Sequence, residues 1–168
     1  MSVGRLAKDQ ETYYLSEVLE GREDYYLDPG EAPGRWTGRL AGELGLAGVV
    51  EGDDLRAVLA GRDPRGDGAL RESVATLPGF DLTLSTPKGI SVAWALADRD
   101  TAERIVSAHD RAVDAAIGYL ESNASRVRRG HAGAELVEAD GFVAAAFRHR
   151  TSRAGDPQLH TGIGDRPA

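Results

Sequence analysis

Two histidines and the arginines around them are the residues of this 168-residue chain whose types and spacing can do chemistry. In the stretch FRHRTSRAGDPQLHT, residues 147–161, His149 and His160 stand eleven positions apart, and Arg148, Arg150 and Arg153 interleave with the first of them. Asp156-Pro157 forces a turn between the two. A neutral imidazole is the commonest transition-metal ligand, so two brought together by a turn make half a metal site. Arginine beside such a site suits a phosphate substrate, because the planar guanidinium meets phosphate oxygens in bidentate fashion.

A second group of candidates lies near the start. Tyr13-Tyr14 and Tyr25-Tyr26 place all but one of the five tyrosines within fourteen residues. A phenol with a pKa of about 10 is a poor nucleophile at neutral pH and needs an acid–base partner or a metal field. For an arbitrary tyrosine the blander reading, an amphipathic residue at the edge of the core, is the better one. Asp81 falls on the polar face of an alternating segment, where most aspartates are simply solvated. His109 lies near the apolar stripe of a long helix and reads as a packed or surface group.

The elements that must position these residues follow from periodicity. Residues 80–85 (FDLTLS) alternate as a strand, with Phe80, Leu82 and Leu84 on one face. Pro87 suits the first turn of a helix through Val92, Trp94 and Leu96. Residues 101–121 form the longest helix, with Ile105, Ala108, Ala112, Ala116, Ile117 and Leu120 as its stripe. Asp9 caps a helix over 10–20, and Asp53 or Asp54 caps another with Leu55, Val58 and Leu59 inward. The arginine-rich segment after the long helix reads as a basic loop. Asp140-Gly141 reads as a hairpin turn between strands 134–139 and 142–149, with 158–161 as a further short strand. The fold class is α+β, an antiparallel sheet with helices packed on one face.

Composition narrows the functional classes. Twenty basic against 27 acidic residues give a net charge of −7, which does not announce a nucleic-acid binder, although Arg126, Arg128 and Arg129 and then Arg148, Arg150 and Arg153 form local basic stretches. There is no cysteine, hence neither a disulfide framework nor a thiolate metal site. No apolar run reaches membrane-spanning length, and the expected location is the cytoplasm.

Four stretches then carry a resemblance: the two tyrosine pairs, GRWTGRLAGELGLAG, GFDLTLSTPKGISVAWAL, and FRHRTSRAGDPQLHT. Together, in this order, they resemble the N-terminal part of conjugative relaxases of the TrwC/TraI (MobF) type, HUH endonucleases with a palm-like fold. The resemblance implies site- and strand-specific nicking of single-stranded DNA at an origin of transfer, through a covalent 5′-phosphotyrosine. It implies Tyr13 as the initiating nucleophile, with Tyr14 beside it, and Tyr25 or Tyr26 as the second. Asp81 would be the acid that orients a metal-binding histidine. His149 and His160 would be two ligands of a three-histidine site for a divalent ion such as Mg²⁺ or Mn²⁺. Arg148, Arg150, Arg153 and Lys88 would contact DNA, relaxosome proteins are the implied partners, and the expected state is a monomer.

The family pattern reads His-Thr-His, whereas position 162 here is Gly162. Residues 1–161 are therefore expected to be the first part of a relaxase domain, and 162–168 an unpatterned tail outside the family sequence. Three outcomes follow: a strand transferase impaired by truncation, a non-catalytic remnant that binds single-stranded DNA or a relaxosome partner, or an inert fragment that folds poorly.

Overall fold

The computed structural model describes residues 1–5, 32–66, 68–70, 79–129, 135–152 and 154–167. The described chain runs β1 (Ser2–Arg5), β2 (Arg35–Thr37), α1 (Arg39–Glu43), α2 (Gly52–Leu59), β3 (Phe80–Ser85), α3 (Lys88–Leu96), α4 (Arg99–Ala124), β4 (Arg126–Arg129), β5 (Glu135–Glu138), β6 (Phe142–Thr151) and β7 (Pro157–Pro167). Five strands form an antiparallel sheet in the order β1-β3-β7-β6-β2, while β4 and β5 pair as a separate ribbon. The expected α+β class with an antiparallel sheet is the one observed, its helices standing on both faces rather than one. Among the described residues no helix is long and apolar enough to cross a membrane.

The sheet is built on β6, whose residues 142–147 are all buried. An unbroken apolar run of this kind fits a strand covered on both faces. Alternate residues go to two clusters: Val143, Ala145 and Phe147 pack with Trp36 and the buried residues of α2, while Phe142, Ala144 and Ala146 pack with Val113 and Ile117 of α4. The long helix thus covers one face, and α1 and α2 cover the β2–β6 end of the other. Asp98 caps α4, accepting a hydrogen bond from the Thr101 N–H at 2.8 Å, which starts the helix two residues before the expected 101. Its buried stripe is His109, Val113 and Ile117, not the exposed Ala108 and Ala112.

Three expectations are corrected. Residues 126–129 are a strand rather than a loop, and they take 135–138 as their partner directly after α4. Asp140-Gly141 is consequently a corner between the ribbon and the main sheet, not a hairpin joining β5 to β6. The Glu121 carboxylate holds that corner, accepting from the N–H of Phe142 at 2.9 Å and of Arg39 at 2.7 Å. Gly141 has φ 142°, and a Cβ there would lie 3.0 Å from Glu121 Oε1, so the corner requires glycine.

The third correction concerns the short strand expected over 158–161, which runs instead from Pro157 to Pro167 as β7. Gly162 and Gly164 have weak strand propensity, but β3 pairs with them on one side and β6 on the other. Between them Ile163 is fully buried in the α4-side cluster. Ile163→Ala is expected to cost about 2–4 kcal/mol of unfolding free energy. Leu136→Ala on the exposed ribbon should cost no more than about 0.5 kcal/mol. Urea denaturation of the two variants checks the contrast, and equal losses would place Ile163 outside the core.

Candidate metal centre and nucleic-acid interface

The β6–β7 register creates the site. His149 pairs directly with His160, so both side chains project from the same face, and their ring centroids lie 5.0 Å apart at an interplanar angle of 33°. The loop between them closes through the Ser152 N–H to the Asp156 carbonyl at 2.9 Å and the Gly155 N–H to the Ser152 carbonyl at 2.9 Å. Gly155 takes φ 81° in this turn. The expected convergence of the two histidines is therefore what the fold produces.

His160 Nδ1 lies 2.9 Å from the Gln158 carbonyl oxygen. A carbonyl only accepts, so Nδ1 carries the proton and Nε2 keeps its lone pair for a metal. Such a backbone tether is the usual way a ligating imidazole is oriented. The donor set present fits a two-imidazole site: among the described residues, no group of three or more His, Cys, Asp or Glu side chains converges on one point. On the same face, a Cβ added to Gly162 would stand 3.9 Å from His149 Nε2.

Asp81 shares this face but stands away from the pair. It is opposite Gly164, whereas His160 is opposite Ser85. Four residues of strand separate the two levels, about 13 Å. Gly162, opposite Thr83, lies between them without a side chain to bridge Asp81 to the imidazoles.

Strand alternation sends the neighbouring arginines to the other face. Arg148 pairs in register with Thr161 and forms an ion pair with Asp110 of α4 at 2.6 Å. The Arg150 guanidinium stacks over Trp94 of α3, 4.9 Å from the ring centroid. With Arg99, Asp110 and Leu159 they line an open groove of about 600 Å³. Lys88 Nζ donates to the Pro157 carbonyl at 3.0 Å and lies 3.9 Å from Asp156, at the start of β7. Tyr13, Tyr14, Tyr25, Tyr26 and Arg153 lie outside the described residues.

His109, read from the sequence as a packed or surface group, is a packed one. It is buried beneath β7, with Nε2 2.9 Å from the Thr161 hydroxyl. Its recurrence with Val113 and Ile117 at intervals of four was the available signal.

Burial lowers the His109 pKa from 6.5; Asp110 opposes the shift, and the charges of Arg148, His160 and Arg35 add to it. The unfolded chain therefore binds more protons than the folded one below pH 6.5. Stability is full above that value and falls as pH drops towards the lowered folded pKa. Denaturant midpoints at pH about 7.5 and about 5.5 should show this loss, and His109→Gln should reduce it. Gly162→His should raise Ni²⁺ affinity about tenfold or more in calorimetric titration, roughly 1.4 kcal/mol per decade. Unchanged affinity would mean that position 162 does not reach the imidazole pair.

The sequence profile of the TrwC relaxase family matches residues 7–163. The multifunctional conjugation protein TraI of Escherichia coli is 36% identical over 165 residues, covering 96% of this chain and 9% of TraI. A copper-bound structure of the conjugative relaxase TrwC with oriT DNA superposes with a TM-score of 0.78 at 33% identity, over 98% of this chain and 56% of that one. TrwC complexed with a 27-mer DNA comprising the recognition hairpin and the cleavage site gives a TM-score of 0.75 at 30% identity, over 98% and 54%. The chain thus spans about half of the solved relatives and a small part of TraI. A match in sequence along nearly its whole length, and in fold over 98% of it, makes this chain a member of the TrwC relaxase family.

Proposed function

We propose that this chain is a relaxase-domain portion that nicks single-stranded DNA at an origin of transfer, carrying both the nucleophile and the metal-binding face. The observation that carries the reading is the His149–His160 pair on one sheet face, with rings 5.0 Å apart, in a chain of this family. The solved relatives' complexes with oriT DNA support the substrate class.

In this reading Tyr13 attacks the scissile phosphorus. The Tyr13 Oη–P bond forms, the P–O3′ bond breaks, and the phenolic proton ends on the departing 3′ oxygen. Tyr14 flanks the nucleophile, and Tyr25 or Tyr26 carries out the second transfer that rejoins the strand. His149 and His160 would hold a divalent ion such as Mg²⁺ or Mn²⁺, which would supply charge stabilisation at the phosphate. His160 is held for that task by its Nδ1–H bond to Gln158. Lys88, Arg148, Arg150 and Arg153 supply cationic contacts to the backbone. Arg148 and Arg150 do so from the groove side, Arg148 through guanidinium N–H groups other than the one paired with Asp110. The chain acts as a cytoplasmic monomer beside relaxosome proteins.

A second reading is favoured by one observation, the glycine at position 162. Two imidazoles hold a metal less firmly than three, and a chain with so labile a site can bind single-stranded DNA without cutting it. Incubation with a fluorescent single-stranded origin oligonucleotide and Mn²⁺, followed by a denaturing gel, separates the two. The first reading expects a covalent adduct that disappears in Tyr13→Phe. A mobility shift without any adduct would instead establish the binding remnant.

A further inference from the structure

The geometry of α4 points to a function for two consecutive residues on the sheet's other side. We propose that His109 and Asp110 are positioning residues that hold Thr161 and Arg148 from behind the sheet, fixing the register at which His149 and His160 face each other. The proposal rests on the metal-site reading for its consequence, but not for its geometry.

Each imidazole is preceded or followed by a residue whose side chain crosses to the helix side. Arg148 precedes His149 and forms the 2.6 Å ion pair with Asp110, both partners being about a quarter to a third exposed. Thr161 follows His160 and meets His109 at 2.9 Å. Arg148 and Thr161 are themselves register partners, as are His149 and His160. Two adjacent residues of one helix therefore grip one rung of the ladder, and the next rung carries the imidazoles. The helix is a firm anchor because Val113 and Ile117, one and two turns further on, are buried in the core.

This rung needs holding. The β6–β7 ladder is irregular between His149 and Thr151. On the histidine face Gly162 and Gly164 offer no side chains to lock β7 sideways. Because side chains alternate with a period of two, a one-residue slip would send one imidazole through to the opposite face. A two-residue slip would separate the rings by about 7 Å along the strand. Of the two tethers, His109 to Thr161 is buried from competing water, and Asp110 to Arg148 is charge-assisted.

The test compares His109→Leu/Asp110→Asn, His109→Gln, the isosteric Thr161→Val and the hydroxyl-retaining Thr161→Ser in the 168-residue chain. In the metal-free protein, NMR cross-peaks between the ring protons of His149 and His160 should weaken at least about threefold in the double variant and in Thr161→Val. They should persist in His109→Gln and Thr161→Ser, whose polar groups can still bond. Thr161→Val keeps the strand packing and decides the matter if the double variant does not fold. Unchanged cross-peaks in a folded Thr161→Val or double variant would overturn the proposal. A parallel Cu²⁺ titration should show affinity about tenfold weaker in the same variants, about 1.4 kcal/mol. If the native chain showed the cross-peaks but no Cu²⁺ binding sensitive to His149→Ala, the metal reading would fail while the clamp stood.

Discussion

The antiparallel pairing of β6 with β7 is the constraint on which the rest of the structure depends. Its register puts His149 against His160 on one face and Arg148 against Thr161 on the other. Period-two alternation makes these placements inseparable. β3 flanks β7 from the far side, and α4 supports both strands from behind through His109, Asp110 and the apolar residues below them. The cluster around Trp36 and Phe147 packs against the histidine-side face of β6, along Val143, Ala145 and Phe147. The imidazole pair is thus a product of the whole sheet, not of the short loop that joins its two strands.

The face that carries the histidines is unevenly furnished. Asp81 belongs to it, yet stands four register steps from His160 with Gly162 between. A side chain at 162 would approach His149 Nε2 and fall diagonally beside Asp81, linking acid and imidazoles in one row. With glycine there, the row is interrupted. The backbone tether from Gln158 remains the orienting contact of His160. With two rings rather than three, metal affinity would also depend on how well each ring is held, which gives the contacts behind the sheet their importance.

Parts of this were legible in the sequence, and the failures have physical causes. FDLTLS declared β3 because one face of it is packed and the other polar, and the eleven-residue spacing with Asp156-Pro157 announced two converging histidines. The extension of β7 through Gly162 and Gly164 was hidden because strand pairing on both sides, not residue propensity, makes it a strand. Asp140-Gly141 carried a hairpin signal, but Glu121, far away in sequence, uses the turn as a corner. The basic character of 126–129 concealed a ribbon strand. Arg148 and Arg150 were read beside the histidines in sequence, and alternation places them across the sheet from them. His109 looked ordinary on the helix, since its partner Thr161 is 52 residues away. The tyrosine pairs lie outside the described residues, and their roles rest on the family pattern.

The central claim is that His149 and His160 share one metal ion, and electron paramagnetic resonance of the Cu²⁺-loaded chain tests it most directly. Two equivalent equatorial imidazole nitrogens should couple to the copper, with His160→Ala reducing the count to one. A spectrum with no imidazole coupling, or one unchanged by His160→Ala, would contradict the account.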